Sequence, residues 1–227
     1  MISNAPKALF SQLFAPQSVV FIGASETPAK WGFTILMHIL QGGYQGRLYL
    51  INPKHETVLG RPCYKTLAEL PETPDLAILV VPAAQLLSAM EGCVARGIKA
   101  AVVITSGFAE IGEEGKRLQE RLVATAREGG LHFVGPNSMG LYTAFPSRLV
   151  SIMASIIPDP GPAAVLSQSG NLGVSLMSRL NRRGVGLSRV VSVGNEASLS
   201  IADYLLLLKD DPQTKVISVY AEGASAG

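Results

Sequence analysis

The sequence predicts an α/β fold in which helices cover both faces of a twisted parallel sheet. Short apolar, β-branched segments recur at intervals of roughly 25 to 30 residues, which is the length of a βα unit. Their nearly unbroken apolarity suits strands that are buried on both faces. The segments between them place apolar side chains along one helical face, as helices packed on such a sheet require. The predicted architecture is therefore a doubly wound, Rossmann-like sheet, followed by a second α/β unit.

The strands are predicted in two series. The first series lies at 18–22, 48–51, 76–81, 100–104 and 132–134, and the second lies at 163–166, 187–193 and 216–220. Three helices between them are marked by the apolar faces Leu86, Leu87, Met90 and Val94, then Leu118, Leu122 and Ala126, then Leu172, Leu176 and Leu180.

A stretch rich in Pro and Gly, without periodicity, separates the two series. We therefore predict a Rossmann-like domain at 1–145, a linker at 146–162 and a second α/β unit at 163–227. A unit of three parallel strands is small for an independent core, so the sequence is interpreted as truncated relative to a longer parent.

Composition excludes several classes of function. The chain is 48% hydrophobic and 16% charged, which excludes disorder for most of it. A formal net charge of +2 without a Lys/Arg block predicts binding to neither nucleic acid nor a membrane surface. No apolar segment approaches the ~20 residues of a membrane-spanning helix, so the cytoplasm is the expected location. Cys63 and Cys93 lie far apart without CxxC spacing, so neither a disulfide framework nor a metal site is predicted.

The candidate binding residues follow predicted strands, because open α/β sheets bind ligands at the carboxyl ends of their strands. The Gly-containing turn at 23–25 precedes a helix, and it is either a phosphate cradle or an ordinary tight turn. The second strand ends in Asn52-Pro53-Lys54, where an NAD-binding domain would have a carboxylate. A cation there suits a phosphorylated ribose, as in NADP or coenzyme A (CoA), unless Lys54 is only a solvated loop residue.

A second candidate cradle lies at 167–170 (SQSG), between a strand and a helix. Small hydroxyl residues there suit a phosphate or an oxyanion, although Ser169 would also serve as a helix N-cap. Neither GxSxG nor GK[ST] occurs around these serines, so a hydrolase or a P-loop site is not predicted. Among the histidines, His38 and His132 are predicted to be structural, whereas His55 could at most contact a ligand phosphate.

Taken together, these segments resemble the NDP-forming (ADP-forming) acyl-CoA synthetases, relatives of the succinyl-CoA synthetase α-subunit. The resemblance rests on segments at 13–25 (LFAPQSVVFIGAS), 51–54 (INPK), 76–83 (LAILVVPA), 97–110 (GIKAAVVITSGFAE), 135–140 (GPNSMG), 166–173 (LSQSGNLG) and 192–223. It implies a CoA-binding Rossmann domain followed by a flavodoxin-like domain, which is partial here. It also implies a CoA site lined by Gly23, Ala24, Ser25, Asn52, Pro53, Lys54, Val81, Pro82, Ser106 and Phe108, with Asn137 near the thioester.

The resemblance further implies acid activation, in which acid, CoA and ATP are interconverted with acyl-CoA, ADP and phosphate. The phosphoryl group of a phosphohistidine would be received by Ser167, Gln168, Ser169 and Gly170, and Glu222 would orient that histidine. The histidine itself would lie beyond Gly227, and an ATP-grasp domain or subunit would supply ATP and Mg²⁺. The expected partners are thus CoA or acyl-CoA, a small carboxylic acid and that ATP-grasp unit, with a homo-oligomer left open. By itself the chain is expected to bind CoA and to catalyse nothing.

Two alternatives remain open at this point. The chain could be the degenerate, CoA- or acetyl-CoA-sensing module of a bacterial protein lysine acetyltransferase. It could also be a free-standing NADP- or CoA-binding Rossmann regulator. Ser169, Gly170 and Glu222 favour the catalytic family, because a sensing module needs no phosphoryl cradle.

Overall fold

The computed structural model describes residues 6–154 and 156–223, which form two sheets. The first sheet contains β1 (Ser18–Ile22), β2 (Arg47–Ile51), β3 (Thr57–Val58), β4 (Arg61–Tyr64), β5 (Leu76–Leu79), β6 (Ala100–Val103) and β7 (His132–Val134). Its strand order is β3-β4-β2-β1-β5-β6-β7, and all neighbours are parallel except β3 and β4. The associated helices are α1 (Pro6–Phe14), α2 (Trp31–Gln41), α3 (Ala83–Ala95) and α4 (Glu113–Glu128).

Both faces of this sheet are buried, because successive side chains of a strand point to opposite sides. In β1, Val19 and Phe21 join the core cluster that contains α2, whereas Val20 and Ile22 join the cluster beneath α3 and α4. This arrangement confirms the predicted doubly wound sheet. Strands β3 and β4, at one end of this sheet, were not predicted, since they are two and four residues long and carry no apolar run.

The second sheet is mixed. It contains β8 (Gly140–Thr143), β9 (Leu149–Ile152), β10 (Pro160–Ser167), β11 (Leu187–Ser192) and β12 (Val216–Tyr220), in the order β12-β10-β11-β8-β9. Strand β10 pairs in parallel with β11 and β12, whereas β8 is antiparallel to β11 and β9. Helices α5 (Gly170–Arg182) and α6 (Ile201–Leu208) complete this unit.

Strand β9 and the first residues of β10 lie within 146–162, where the sequence predicted a linker, whereas β8 lies at the end of the predicted first domain. Every residue of both strands is buried, and β8 pairs with β11 of the second sheet. Strands of four residues flanked by Pro and Gly show too little periodicity to be recognised, and their pairing comes from tertiary contacts.

The predicted apolar face of α5 is also partly wrong. Leu172 is 47% exposed, and the buried residues of α5 are Gly173, Met177 and Ser178. The helix is rotated relative to the prediction because the two small residues allow it to approach β10 and β11 closely. A Cβ on Gly173 would lie 2.9 Å from Cβ of Ser167.

The two sheets share one apolar core cluster, in which α2 packs against β9. Nδ1 of His38 on α2 lies 2.9 Å from the Ile152 carbonyl oxygen, which confirms the structural role predicted for this histidine. The Thr143 hydroxyl of β8 donates a hydrogen bond to the Phe14 carbonyl of α1 at 2.8 Å. Within 6–154 and 156–223, no helix combines the length and the apolarity needed to cross a bilayer.

Candidate functional site

Three adjoining clefts open at the carboxyl ends of the first sheet's parallel strands. Their volumes are about 810, 600 and 490 Å³, and Gly23 and Val81 line all of them. The largest cleft extends from the end of β1 to the beginning of α5. The other two lie between the turn after β1 and the loop after β2.

The turn after β1 is built on two close backbone contacts. Gly23 has φ +100°, and a Cβ there would lie 2.1 Å from the Val80 carbonyl oxygen. A Cβ on Gly32 would lie 2.1 Å from the Gly23 carbonyl oxygen, so α2 begins directly against the turn. The Ser25 hydroxyl accepts a hydrogen bond from the Thr27 N–H at 3.1 Å. These contacts place the first residues of α2 at the largest cleft, which Lys30, Trp31 and Gly32 line.

Asn52 joins the turn after β1 to the loop after β2. Its Nδ2 donates to the Ala24 carbonyl oxygen at 3.1 Å, and its Oδ1 accepts from the N–H groups of Lys54 (2.9 Å) and His55 (3.1 Å). Lys54 is thereby held at the mouth of both smaller clefts. Lys65 lines the 600 Å³ cleft with Lys54 and donates from Nζ to the His55 carbonyl oxygen at 3.3 Å. Two lysine side chains, Lys54 and Lys65, therefore line the 600 Å³ cleft, whereas the sequence analysis had indicated Lys54 alone.

The ends of β5 and β6 line the largest cleft through Pro82, Thr105 and Ser106. Pro82 directly precedes α3, and the Thr105 hydroxyl donates to the Val81 carbonyl oxygen at 2.7 Å, which ties the two strand ends together. Phe108, in contrast, is buried and lines none of these three clefts.

A hydrogen-bond network holds Asn137 at the cleft. Its backbone N–H donates to the Thr105 carbonyl oxygen at 2.9 Å, and its Nδ2 donates to Asn195 Oδ1 at 3.3 Å. Asn195 in turn donates from Nδ2 to Glu110 Oε2 (2.6 Å) and to Gln119 Oε1 (2.9 Å). With its Nδ2 directed to Asn195, Asn137 has its Oδ1 available to accept a hydrogen bond from a ligand.

The electrostatics of this network depend on Glu110. Burial by itself would raise the pKa of its carboxyl group, but hydrogen bonds from Asn195 and from the Gly107 N–H outweigh it and lower the pKa. Glu110 is therefore an ionised acceptor near neutral pH, and Asn195 is held with its Oδ1 towards Asn137.

The beginning of α5 forms the opposite wall of the largest cleft. The Ser169 hydroxyl accepts a hydrogen bond from the Leu172 N–H at 3.4 Å, so the N-cap predicted as the alternative role is present. Gln168, Ser169 and Gly170 line the cleft, whereas Ser167 is buried and donates to the Ser169 carbonyl oxygen at 2.6 Å. The amino-terminal ends of α2, α3 and α5 all reach this cleft, and each helix contributes partial positive charge there.

Gln168 also fixes the segment that follows β12. Its Oε1 accepts from the N–H groups of Glu222 (2.5 Å) and Gly223 (3.2 Å). Its Nε2 donates to Glu196 Oε2 at 2.7 Å and to the Gly223 carbonyl oxygen at 3.0 Å. Glu222 is thereby held at the cleft, beside the beginning of α5.

The structure thus brings together all of the predicted site residues except Phe108 and Ser167, which lie just behind the cleft surfaces. The sequence analysis missed Lys65, Thr105, Asn195 and Glu196. Asn195 follows the carboxyl end of β11, so the rule that placed the other candidates would have found it. Lys65 follows β4, which was itself not predicted.

Comparison with known proteins identifies the family of each part of the chain. Residues 17–144 match the CoA binding domain, and residues 160–227 match the succinyl-CoA ligase like flavodoxin domain. The chain is 42% identical over 220 residues to the acetate–CoA ligase (ADP-forming) I subunit alpha of Pyrococcus furiosus, covering 95% of this chain and 47% of that protein. It is 33% identical over 218 residues to the 4-hydroxybutyrate–CoA ligase (ADP-forming) of Nitrosopumilus maritimus, covering 96% and 31% respectively.

A solved structure is similar over the same region. The dinucleotide forming acetyl-coenzyme A synthetase 1 of Ca. Korarchaeum cryptofilum superposes with a TM-score of 0.92 at 38% identity, covering 96% of this chain and 47% of that one. The chain therefore spans less than half the length of these relatives. Its CoA-binding domain and its succinyl-CoA ligase-like domain, in this order, show that the chain belongs to the NDP-forming acyl-CoA synthetase family and corresponds to its CoA-binding region.

Proposed function

We propose that this chain is the CoA-binding portion of an acid–CoA ligase that interconverts acid, CoA and ATP with acyl-CoA, ADP and phosphate. The observation that carries the proposal is the meeting of three helix amino-terminal ends at a cleft continuous with the Lys54 and Lys65 loops. A ligand with several phosphates and a long neutral arm matches this distribution of charge. The relatives named above are ligases and a synthetase, and they give no support to the two regulatory alternatives.

The clefts suggest an arrangement for CoA. The 3′-phosphate would lie between Lys54 and Lys65, because an ammonium group pairs with phosphate as a point charge. The pyrophosphate would lie at the turn of residues 23–25, because this turn lines the 490 Å³ cleft together with Lys54 and leads to the beginning of α2. The pantetheine arm would then follow Val81 and Pro82 towards Asn137, whose free Oδ1 can accept a hydrogen bond from it.

The beginning of α5, which forms the opposite wall of the largest cleft, would bind the phosphoryl group. A phosphohistidine from another segment would supply the phosphoryl group that activates the acid. The N–H groups at the beginning of α5 would stabilise the negative charge on that group while it is transferred. The Glu222 carboxylate, held by Gln168, would accept a hydrogen bond from the imidazole and fix its tautomer and orientation.

ATP and Mg²⁺ would be bound elsewhere. Within 6–154 and 156–223, no group of three or more His, Cys, Asp and Glu side chains could hold a metal ion. An ATP-grasp domain or subunit that binds ATP and Mg²⁺, which the family resemblance implies, is part of the proposal, as is the cytoplasmic location expected from the sequence.

Calorimetry of CoA binding to the 227-residue chain tests this proposal, with dephospho-CoA and NADP as comparators. Selective binding of CoA is expected. Lys54→Ala should weaken CoA by about tenfold, since a hydrogen bond to a charged group contributes about 1.5–3 kcal/mol, and it should affect dephospho-CoA little. Lys209→Ala, at the end of α6, is the matched control. Preference for NADP, or equal weakening of CoA and dephospho-CoA by Lys54→Ala, would contradict the assignment.

A further inference from the structure

Glu196 is a half-buried carboxylate in the loop between β11 and α6, and it lines none of the three clefts. Its φ is +52°, in the left-handed region that is uncommon for residues other than Gly, Asn and Asp. A residue keeps such a conformation when the contacts around it fix it there. The Glu196 carboxylate makes contacts of this kind on both of its oxygens.

Each carboxylate oxygen of Glu196 accepts a hydrogen bond from a different element. Oε1 accepts from the backbone N–H of Ile201, the first residue of α6, at 2.5 Å. Oε2 accepts from Gln168 Nε2 at 2.7 Å. Glu196 therefore connects the beginning of α6 to the side chain that holds the segment after β12.

This carboxylate determines which way the Gln168 amide faces. A carboxylate only accepts hydrogen bonds, so the amide must direct its NH₂ group, and not its oxygen, towards Glu196. The amide oxygen then faces the backbone N–H groups of Glu222 and Gly223, from which it accepts. A reversed amide would place its NH₂ group against these two donors and its oxygen against the carboxylate. The amide orientation that holds Glu222 is therefore the one that Glu196 requires.

We infer that Glu196 is a positioning residue of the phosphoryl site, which orients the Gln168 amide and thereby holds Glu222 in place to accept a hydrogen bond from the phosphohistidine imidazole. This inference rests on the proposed function and adds to it a residue that touches neither CoA nor the phosphoryl group. The preceding residue, Asn195, directs its own side chain to Asn137. The loop after β11 thereby orients two separate parts of the site.

Amide hydrogen exchange of the full chain, followed by NMR, tests the orientation of the amide. Glu196→Gln keeps the size of the side chain but offers one oxygen and one NH₂ group. When the oxygen accepts from the fixed backbone N–H of Ile201, the NH₂ group faces that of Gln168, whose amide must reverse. Exchange at the Glu222 N–H should then become about fivefold faster, the effect of one lost hydrogen bond, while Ile201 stays protected.

A second substitution should restore the clamp. In the double variant Glu196→Gln/Gln168→Glu, the donor and acceptor roles of the two side chains are exchanged and the total charge equals that of the parent protein. The new carboxylate accepts from the new amide and from the N–H groups of Glu222 and Gly223. Exchange at Glu222 should return to within about twofold of the parent rate. Glu120→Gln, exposed on α4 and lining none of the three clefts, is the matched control and should leave it unchanged.

Two small probes connect the clamp to the site. Free phosphohistidine and inorganic phosphate are titrated separately, and binding is followed by NMR at the N–H groups of residues 170–172. Both probes carry the phosphoryl charge, but only phosphohistidine has the imidazole that Glu222 would contact. Glu196→Gln should weaken phosphohistidine about threefold, as expected for a displaced hydrogen-bond acceptor, and should not weaken phosphate. Removal of a negative charge alone would strengthen the binding of both anions.

The outcomes separate this inference from the proposed function. The positioning role is wrong, and the proposed function stands, if Glu196→Gln leaves Glu222 protected, if the double variant fails to restore protection, or if Glu196→Gln binds phosphohistidine as tightly as the parent protein. A parent protein that binds CoA but not phosphohistidine would overturn the phosphoryl site together with this inference. A folded parent protein that does not bind CoA in calorimetry would overturn the proposed function and, with it, the inference that rests on it.

Discussion

Replacing Gly32 by alanine tests whether the turn after β1 is held as tightly as the structure indicates. Gly32 is the second residue of α2 and is buried. An added Cβ would lie 2.1 Å from the Gly23 carbonyl oxygen, well inside van der Waals contact. The obstacle is backbone in a turn where Gly23 has φ +100°, so no side-chain rotation relieves it. Either the turn or the beginning of α2 must shift.

Two opposing terms set the expected size of the effect. Alanine is preferred over glycine inside a helix by about 1 kcal/mol, so helix propensity alone predicts that Gly32→Ala stabilises the protein. Overpacking a tight contact costs about 1–3 kcal/mol. Because the first turn of a helix receives only part of the propensity gain, we expect a net loss of about 1–2 kcal/mol in the free energy of unfolding.

Gly92→Ala in α3 is the matched control. Its added Cβ would lie 3.1 Å from Leu67 Cδ1, the end of a partly buried side chain that can move slightly. The free energy of unfolding of Gly92→Ala should be unchanged or higher than that of the parent protein by up to about 1 kcal/mol.

Urea unfolding of the two variants and the parent protein measures these free energies, and calorimetry measures CoA affinity in parallel. Gly32→Ala should be less stable than both other proteins and should bind CoA more weakly, because the turn of residues 23–25 moves with it. If Gly32→Ala is as stable as Gly92→Ala, the contact with Gly23 is not rigid and the reasoning is refuted. A loss of stability with unchanged CoA affinity would remove this turn from the pyrophosphate site.

Three further predictions concern the polar networks of the cleft. Asn195→Ala should leave the fold intact and weaken acyl-CoA several-fold in calorimetry, since Asn137 loses the acceptor that orients it; unchanged affinity would show that Asn137 is oriented by its backbone alone. Gln168→Ala should increase hydrogen exchange at the Glu222 N–H, which loses its acceptor, whereas continued protection would contradict the role of Gln168 as a clamp. Because the pKa of Glu110 is lowered in the folded state, its contribution to stability is present above the ordinary Glu value of 4.5 and is lost as the pH falls through the lowered pKa. Glu110→Gln should therefore lose less stability than the parent protein in urea unfolding between about pH 5 and pH 3, and equal losses would contradict this account.

The sequence predicted the fold best where strands are buried on both faces. Strands β1, β7 and β12 were predicted with their observed bounds, and the other strands of the two predicted series differ by at most a few residues. The β8–β9 hairpin could not be predicted in the same way, because its short strands become strands by pairing with β11 and with each other. The orientation of α5 also depends on tertiary packing, since the small residues Gly173 and Ser178 face the sheet where leucines were expected.

The site was predictable to the extent that it depends on strand topology. The carboxyl ends of parallel strands meet at one edge, so a turn at 23–25, a loop at 52–54 and a turn after β5 had to be neighbours. The pattern of residues along the sequence does not show how the second sheet packs against the first. Asn195 lies 58 residues from Asn137 in sequence and follows a strand of the other sheet, so their hydrogen bond exists only because the two sheets pack together. Glu196 and Gln168 are 28 residues apart and follow the neighbouring strands β11 and β10 of the second sheet, so their hydrogen bond depends on that pairing.

The same packing explains why the cleft is pre-organised between its two walls. The loop after β11 donates two backbone hydrogen bonds to the loop after β7, from Asn195 to the Pro136 carbonyl oxygen at 3.0 Å and from Ala197 to the Gly135 carbonyl oxygen at 3.2 Å. Gly194, with φ +62°, allows this approach, since a Cβ there would lie 2.2 Å from the Pro136 carbonyl oxygen. Together with the apolar core shared by both sheets, these contacts fix the beginning of α5 relative to the turn after β1. Dipoles held in place before a charge arrives stabilise it without the cost of reorganisation. The amino-terminal ends of α2 and α5 are therefore aligned on the cleft before any anion enters it.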